Sequence, residues 1–281
     1  MKVLVLGAHG LLGRAIVREM KAAGHDVTTA ARQGADVSVD FRFDLSPDTL
    51  RPLVRGQHIV VNAVGILMER DGNTWDAVHH RAVEALCAAC EAERVARIVH
   101  VSALGVGTGL AGGYMASKLA AENALAAHAV DYAIVRPGLL VDPACPSTRL
   151  FQWLARLPVI ALPGLWRPGA SQLAPIAVAD VARCIAHIAI HRKALRRVTE
   201  LNGPQTLSYR DMLAALRQAQ GKGSALWLPM PWWLMKLVAW PARWLPQNVF
   251  SLDTVRMLQA GSVSGRSETE RWLGRAVSPS P

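Results

Sequence analysis

Apolar residues follow two rhythms along most of the chain: short unbroken runs, and longer stretches in which they recur about once per helical turn. The runs Val3-Leu4-Val5-Leu6, His58-Ile59-Val60-Val61-Asn62-Ala63-Val64-Gly65 and Arg97-Ile98-Val99-His100-Val101-Ser102 are almost wholly apolar, as strands of a parallel sheet buried on both faces must be. His25–Arg32 reads as a further strand, Val39–Leu45 as a third strand ending in an acid, and the run before Arg136 as a sixth. Helical patterns separate them, beginning at Leu11, in the alanine-rich segment around Glu84, after Tyr114, and from Val178 to about Leu195. Alternation of this kind predicts an α/β fold, a doubly wound parallel sheet with helices on both faces.

After Asp142 the pattern changes, and Trp, Leu and Pro become frequent: Phe151-Gln152-Trp153, Leu165-Trp166, and Trp227 through Trp244. The expected organisation is therefore a nucleotide-binding sheet domain built from residues 1–142 with 172–205, and a small, mainly helical lobe from 143–171 with 206–281. Within the lobe, Trp233, Leu237, Trp240 and Trp244 share one helical stripe beside Lys236 and Arg243. The stripe is expected to pack in the lobe core or against another copy, with Trp233 and Trp240 inside. Peripheral membrane or protein contact is the alternative. A membrane span is disfavoured by the two cations and by Pro229, Pro231, Pro241 and Pro246.

The first strand ends at Gly7-Ala8-His9-Gly10-Leu11-Leu12-Gly13, and the chain turns there into a helix. Gly7 permits the tight turn, Gly10 removes a Cβ from the path of a pyrophosphate, and Gly13 lets helix and strand approach. His9, Leu11 and Leu12 belong to the same phosphate-facing loop, and the free N–H groups of the helix start are its anion site. The second strand ends in Ala30-Ala31-Arg32 with no acid at its tip. A carboxylate there holds the ribose of NAD, whereas a cation suits the 2′-phosphate of NADP, so the reading is NADP through Arg32, with NAD as the alternative. Asp44 and Leu45 are candidates for the adenine, with an N-cap or turn role for Asp44 as the other reading. Asn62, Ala63, Val64 and Gly65 are candidates for the cofactor ribose.

Ser102 ends a strand, a glycine-rich loop follows, and Tyr114 and Lys118 then stand one helical turn apart on the same face. An ammonium beside a phenol favours phenolate, which predicts a tyrosine that exchanges protons near neutrality. Ser102, released toward the same crevice, is expected to hydrogen-bond a substrate carbonyl or alcohol.

The chain carries 31 Lys and Arg against 21 Asp and Glu, a net charge of +10. The densest basic run, His191–Arg197, falls at the expected end of a helix, where cations complement the dipole. No nucleic-acid module accompanies it, so no nucleic-acid partner is expected. Cys87 and Cys90 lie in a helical pattern without a second pair at zinc spacing, and Cys145 and Cys184 are isolated. Structural thiols and no metal are expected. The first apolar run is needed as a strand, so no secretory signal is read, and the cytoplasm is the expected location.

Gly7-x-x-Gly10-x-x-Gly13, Ser102, Tyr114-x-x-x-Lys118, Arg136-Pro137-Gly138, Ile176-Ala177-Val178-Ala179-Asp180 and Glu200-Leu201-Asn202-Gly203-Pro204 together resemble the short-chain dehydrogenase/reductase superfamily. The likeness is to its extended and atypical branch, including the nucleotide-binding accessory subunit of complex I. The resemblance implies Ser102, Tyr114 and Lys118 as the catalytic trio and adds Pro137 and Gly138 to the cofactor site. It implies an NADP-dependent oxidoreductase acting on a small apolar carbonyl, alcohol or quinone-like substrate. The Ser102 to Tyr114 spacing is shorter than in extended epimerases, which speaks against a sugar nucleotide. The alternative it implies is a non-catalytic NAD(P)H-holding assembly factor or redox sensor of a respiratory or membrane complex. Oligomeric state is left open.

Overall fold

The structure is a computed structural model and describes residues 1–109, 112–163, 171–235, 237 and 252–277. Trp166, Lys236, Trp240, Arg243 and Trp244 of the lobe therefore lie outside the described residues. Seven parallel strands form the central sheet in the order β11-β6-β5-β4-β1-β2-β3. They are β1 (Lys2–Leu6), β2 (Asp26–Ala31), β3 (Val37–Ser38), β4 (Ile59–Asn62), β5 (Arg97–Val101), β6 (Tyr132–Pro137) and β11 (Arg197–Leu201). Strand order reverses at β1/β4, and the carboxyl ends of these two strands frame the crevice in which such sheets bind ligands.

Helices cover both faces. Leu12, Ala15, Ile16 and Met20 of α1 (Leu11–Ala22) and Val181, Cys184, Ile185 and Ile188 of α6 (Val178–Ala189) pack with Val3, Val5, Val61 and Val99 on one side. On the other, α2 (Pro47–Val54), α3 (Ala82–Ala92) and α4 (Gly113–Ala127) bury Leu50, Val54, Leu86, Cys87, Cys90, Ala121 and Leu125 against Leu4, Leu6, Val60 and Ile98. Each central strand thus sends alternate residues to opposite faces, and both must be apolar.

Two expectations change. The strand expected over Val39–Leu45 does not form: β3 is the preceding pair Val37–Ser38, and beyond it Asp40 accepts from the Arg42 backbone at 3.1 Å and Asp44 accepts from the Asp40 backbone at 2.6 Å. These side chains offer the backbone a turn in place of the ladder. Helix α6 stops at Ala189 rather than near Leu195, and its end is covered by Arg97. That buried guanidinium donates to the carbonyls of Ile188 (2.8 Å), His191 (2.7 Å) and Lys193 (2.7 Å).

The lobe has its own core, in which α5 (Pro146–Leu154), α7 (Tyr209–Ala219) and the paired strands β8 (Val159–Pro163) and β13 (Leu226–Met230) bury Ile160, Leu162, Met212, Leu213 and Leu216. The short pair β9 (Gln172–Leu173) with β12 (Leu207–Ser208) joins it to the sheet domain, and β7 (Leu140–Val141) pairs with β10 (Ile176–Ala177) where the chain leaves and re-enters that domain. The closing helix Thr269–Leu273 returns to the sheet domain, where Trp272, Leu273 and Val277 pack with α6 and Arg275 pairs with Asp180. Trp233, expected inside, is 66% exposed: the buried side of this segment is occupied instead by Met230, Trp232 and Met235, which pack with Val255 and Leu258. Among the described residues no helix is long and apolar enough to cross a membrane. Cys87, Cys90 and Cys184 are buried and free, and burial pushes the Cys87 thiol up to about 12.

Candidate active site

The glycine loop is held by its backbone. Gly7 has φ +77°, its N–H and that of Ala8 both reach the Ala30 carbonyl (2.9 and 3.2 Å), and a Cβ on it would stand 2.9 Å from the Ala63 carbonyl carbon. A Cβ on Gly13 would run into the Gly7 carbonyl. Gly10, by contrast, is exposed, and a Cβ there meets only the Gly7 oxygen, at 3.1 Å. Helix α1 starts at Leu11 with no side-chain cap and no acid in its first turn. The N–H groups of Leu11, Leu12 and Gly13 lack intrahelical acceptors there, and no carboxylate opposes an anion at the positive end of the dipole. These features fit a dinucleotide pyrophosphate. His9 is exposed with its ring against Gly34, and Arg14 Nη1 donates to the His9 carbonyl at 2.5 Å.

Arg32 is exposed just beyond β2. Asp36 folds back on the strand and accepts from Thr29 N (2.8 Å) and Thr29 Oγ1 (2.6 Å), bonds that hold its carboxyl below the usual range. Asp44 caps its turn as described, and the Leu45 N–H donates to the Phe43 carbonyl at 2.9 Å. In the structure both residues serve the turn.

At the crevice centre, Asn62 is fully buried. Its Oδ1 accepts from Val64 N (3.0 Å) and its Nδ2 lies 3.3 Å from His100 Nδ1, while Ala63 N donates to Leu6 O (3.0 Å). A Cβ on Gly65 would stand 3.4 Å from Lys118 Nζ. Bare backbone and ammonium therefore meet where a nicotinamide ribose would lie. Gly138, at the end of β6, faces Asn202 Oδ1, which a Cβ would approach to 2.9 Å, and its N–H donates to Leu201 O. Pro137 offers its carbonyl to Leu104 N at 3.1 Å. Pro137 thus holds the loop that follows Ser102, and Gly138 ties the end of β6 to β11.

Helix α4 begins where Gly112 adopts φ +154° and where a Cβ on Gly113 would clash with the Trp75 ring. Tyr114 follows at once. Its ring meets His79 edge to face with centroids 5.4 Å apart and packs with Ala103, Val106, Met115 and Met257. Lys118 is buried on the same helix face and donates to the Val101 carbonyl at 3.0 Å. Burial dominates the titration of both groups, raising the Tyr114 phenol to about 12 and lowering Lys118 to about 8. This runs opposite to the expectation of a phenol drawn toward neutrality, because burial penalises the phenolate.

Sequence reasoning missed the polar layer behind the trio. His79 Nε2 accepts from Ile66 N at 3.0 Å, and Nδ1 lies 3.0 Å from Ser117 Oγ, which itself donates to the Tyr114 carbonyl. Burial and Lys118 lower His79 to about 2, so it is a neutral wedge behind Tyr114. Ser102 Oγ donates to Glu122 Oε1 at 2.5 Å. Glu122 is gripped by Arg136 through Nε (2.9 Å) and Nη2, and Arg136 Nη1 reaches Glu200 at 3.5 Å, whose other oxygen takes the Ser264 hydroxyl. One signal for Glu122 was present: it stands four residues after Lys118, on the same helical face. Arg136 and Glu200 lie in the sequence motifs Arg136-Pro137-Gly138 and Glu200–Pro204, which did not reveal that they join Glu122 in one network; no local pattern marked His79, Ser117 or Ser264.

Strand order, glycine cradle and the Tyr114–Lys118 face define a nucleotide-binding protein of the short-chain dehydrogenase/reductase superfamily, in its extended branch. The chain matches the family described as NAD(P)H-binding over residues 7–192 and belongs to it. It is 30% identical over 273 residues to a protein named ceramide reductase from Caulobacter vibrioides, covering 91% of this chain and 83% of that one. It is 24% identical over 282 residues to the mitochondrial NADH dehydrogenase [ubiquinone] 1 alpha subcomplex subunit 9 of Arabidopsis thaliana, covering 90% of this chain and 68% of that one. Among solved structures, it shares the fold of a nucleoside-diphosphate-sugar epimerase from Staphylococcus aureus (TM-score 0.77, 17% identity, 99% and 98% covered). It also shares that of an NADPH-dependent quinone oxidoreductase from Escherichia coli complexed with NADPH (TM-score 0.76, 16% identity, 99% and 96% covered). The protein is thus NAD(P)-binding, with the fold of oxidoreductases and epimerases that act on small organic molecules.

Proposed function

We propose that the chain is an NADP-dependent oxidoreductase of an apolar carbonyl, alcohol or quinone-like substrate. The observation that carries this reading is the shared α4 face: Lys118 Nζ stands beside Gly65, and Tyr114 lies one turn earlier against the apolar side chain of Met257. Arg32 just beyond β2, with the nearby Asp36 carboxylate tied to Thr29, supports NADP over NAD. The relative named ceramide reductase supports a lipid-like carbonyl.

The bound nicotinamide supplies or accepts the hydride. In reduction, Tyr114 gives its proton to the carbonyl oxygen as charge develops there, and Lys118 orients the ribose and stabilises the resulting phenolate. Ser102 has its hydrogen committed to Glu122, so its lone pairs accept from the product alcohol and the donor role falls to Tyr114. The second reading, a protein that holds the nucleotide without turnover, is supported by the complex I relative and by a phenol held at about 12.

Tyr114→Phe separates the two. A screen of hydrophobic ketones, aldehydes and quinones with NADPH should find turnover that this substitution lowers by roughly a hundredfold or more, with NADPH affinity nearly unchanged. Equal turnover in Tyr114→Phe would refute the mechanism. A screen without turnover, from a protein that binds NADPH tightly, would favour the holding role.

A further inference from the structure

We propose that the outer face of the β8–β13 ribbon docks the protein on an anionic lipid bilayer. Because β8 and β13 are parallel and pair Leu226 with Val159 and Leu228 with Ala161, these four side chains share one face. All four are exposed, Leu226 at 60%, while Ile160, Leu162 and Trp227 take the opposite side into the lobe core. The ribbon therefore has one face that packs and an aliphatic face turned to solvent, an arrangement that marks an interaction site. Just beyond β13, Trp233 and Leu237 are exposed at 66% and 61%, and Trp153 on α5 is exposed at 55%.

Charge identifies the partner. Both strands are entered from the same end, since Leu226 N donates to Pro158 O at 2.9 Å, and each entry carries an exposed cation, Arg156 before β8 and Lys222 before β13. Buried Arg217 fastens that end by donating to the carbonyls of Ala155 (2.7 Å), Leu157 (2.6 Å) and Gly223 (3.0 Å). Among the described residues of 143–163 and 206–235, Arg149, Arg156, Arg210 and Lys222 are exposed cations, against a single acid, Asp211. That acid is occupied as the partner of Ser208 in the cap of α7. Aliphatic side chains for the acyl boundary, tryptophan for the interface and cations for lipid phosphates together match the surface of an anionic membrane. The inference stands apart from the catalytic reading, since none of these residues touches the Tyr114–Lys118 face.

The test is co-sedimentation of the full chain with vesicles of phosphatidylglycerol and phosphatidylcholine, and with phosphatidylcholine alone. Binding should appear with the anionic vesicles, fall as salt is raised, and weaken on the order of tenfold in L226S/L228S, with a comparable loss in R156E/K222E. Retained NADPH binding by both variants checks their folding. No sedimentation with anionic vesicles at low salt would overturn the proposal, as would binding undiminished by L226S/L228S. A dimer in sedimentation velocity that L226S/L228S dissociates, without vesicle binding, would assign the face to a second copy instead.

Discussion

Ser102 Oγ points into the protein and donates to Glu122 Oε1 at 2.5 Å, so in the proposed reaction its remaining lone pairs leave it the acceptor's role rather than the donor's. Arg136 holds Glu122 in place from the far side. Glu122→Ala should therefore destabilise the fold by about 1–3 kcal/mol, because it removes the nearer carboxylate of the partly buried Arg136 and leaves it only Glu200 at 3.5 Å. Denaturant unfolding measures this. Ser102→Ala should slow turnover only about fivefold, the value of one neutral hydrogen bond near 1 kcal/mol, far less than Tyr114→Phe. A Ser102→Ala loss as large as that of Tyr114→Phe would place a donor at Ser102 and reject its acceptor role.

Cofactor choice should follow Arg32. NADPH is expected to bind more tightly than NADH, and Arg32→Ala should remove about 1–3 kcal/mol of that difference, one charge-assisted contact to the 2′-phosphate. Titration of both nucleotides against both proteins reads it directly. Equal affinities in the unmodified chain would remove the role given to Arg32.

Lys118 should leave a mark on stability at alkaline pH. Burial lowers it to about 8 from an ordinary value of 10.5, so between those two values the unfolded chain binds the extra proton. Its contribution consequently rises with pH across that window and is constant below it. Relative to Lys118→Met, the unmodified protein should gain roughly 2–3 kcal/mol between pH 7.5 and 10.5, read from paired unfolding curves. In turnover, loss of the Lys118 proton should produce a decline above about 8. Lys118→Arg should push that limb upward, and an unmoved limb would assign the decline to another group.

Much of this molecule was legible locally. A strand buried on both faces has no alternative to a continuous apolar run, so β1, β4 and β5 are visible in Val3–Leu6, Ile59–Asn62 and Arg97–Val101. The glycine turn and the i, i+4 relation of Tyr114 to Lys118 are likewise properties of adjacent residues, fixed by backbone geometry before any packing occurs. The turn at Asp40–Asp44 was misread as strand because hydrophobicity alone was weighed there, whereas side-chain to backbone bonds decided it.

What tertiary structure decided lies where partners are far apart in the chain. The basic run at His191–Arg197 looked like the natural complement to the end of α6, yet the carbonyls there are taken by Arg97, more than ninety residues earlier. Tyr114 and Lys118 were recognisable as a pair, but their proton affinities were set by burial among residues that no local window contains, His79, Val101 and Met257 among them. The same holds for Trp233, whose stripe is amphipathic in either environment. Period and composition specify which side chains share a face, while the surroundings of that face, and hence desolvation, charge partners and exposure, exist only once the chain has folded.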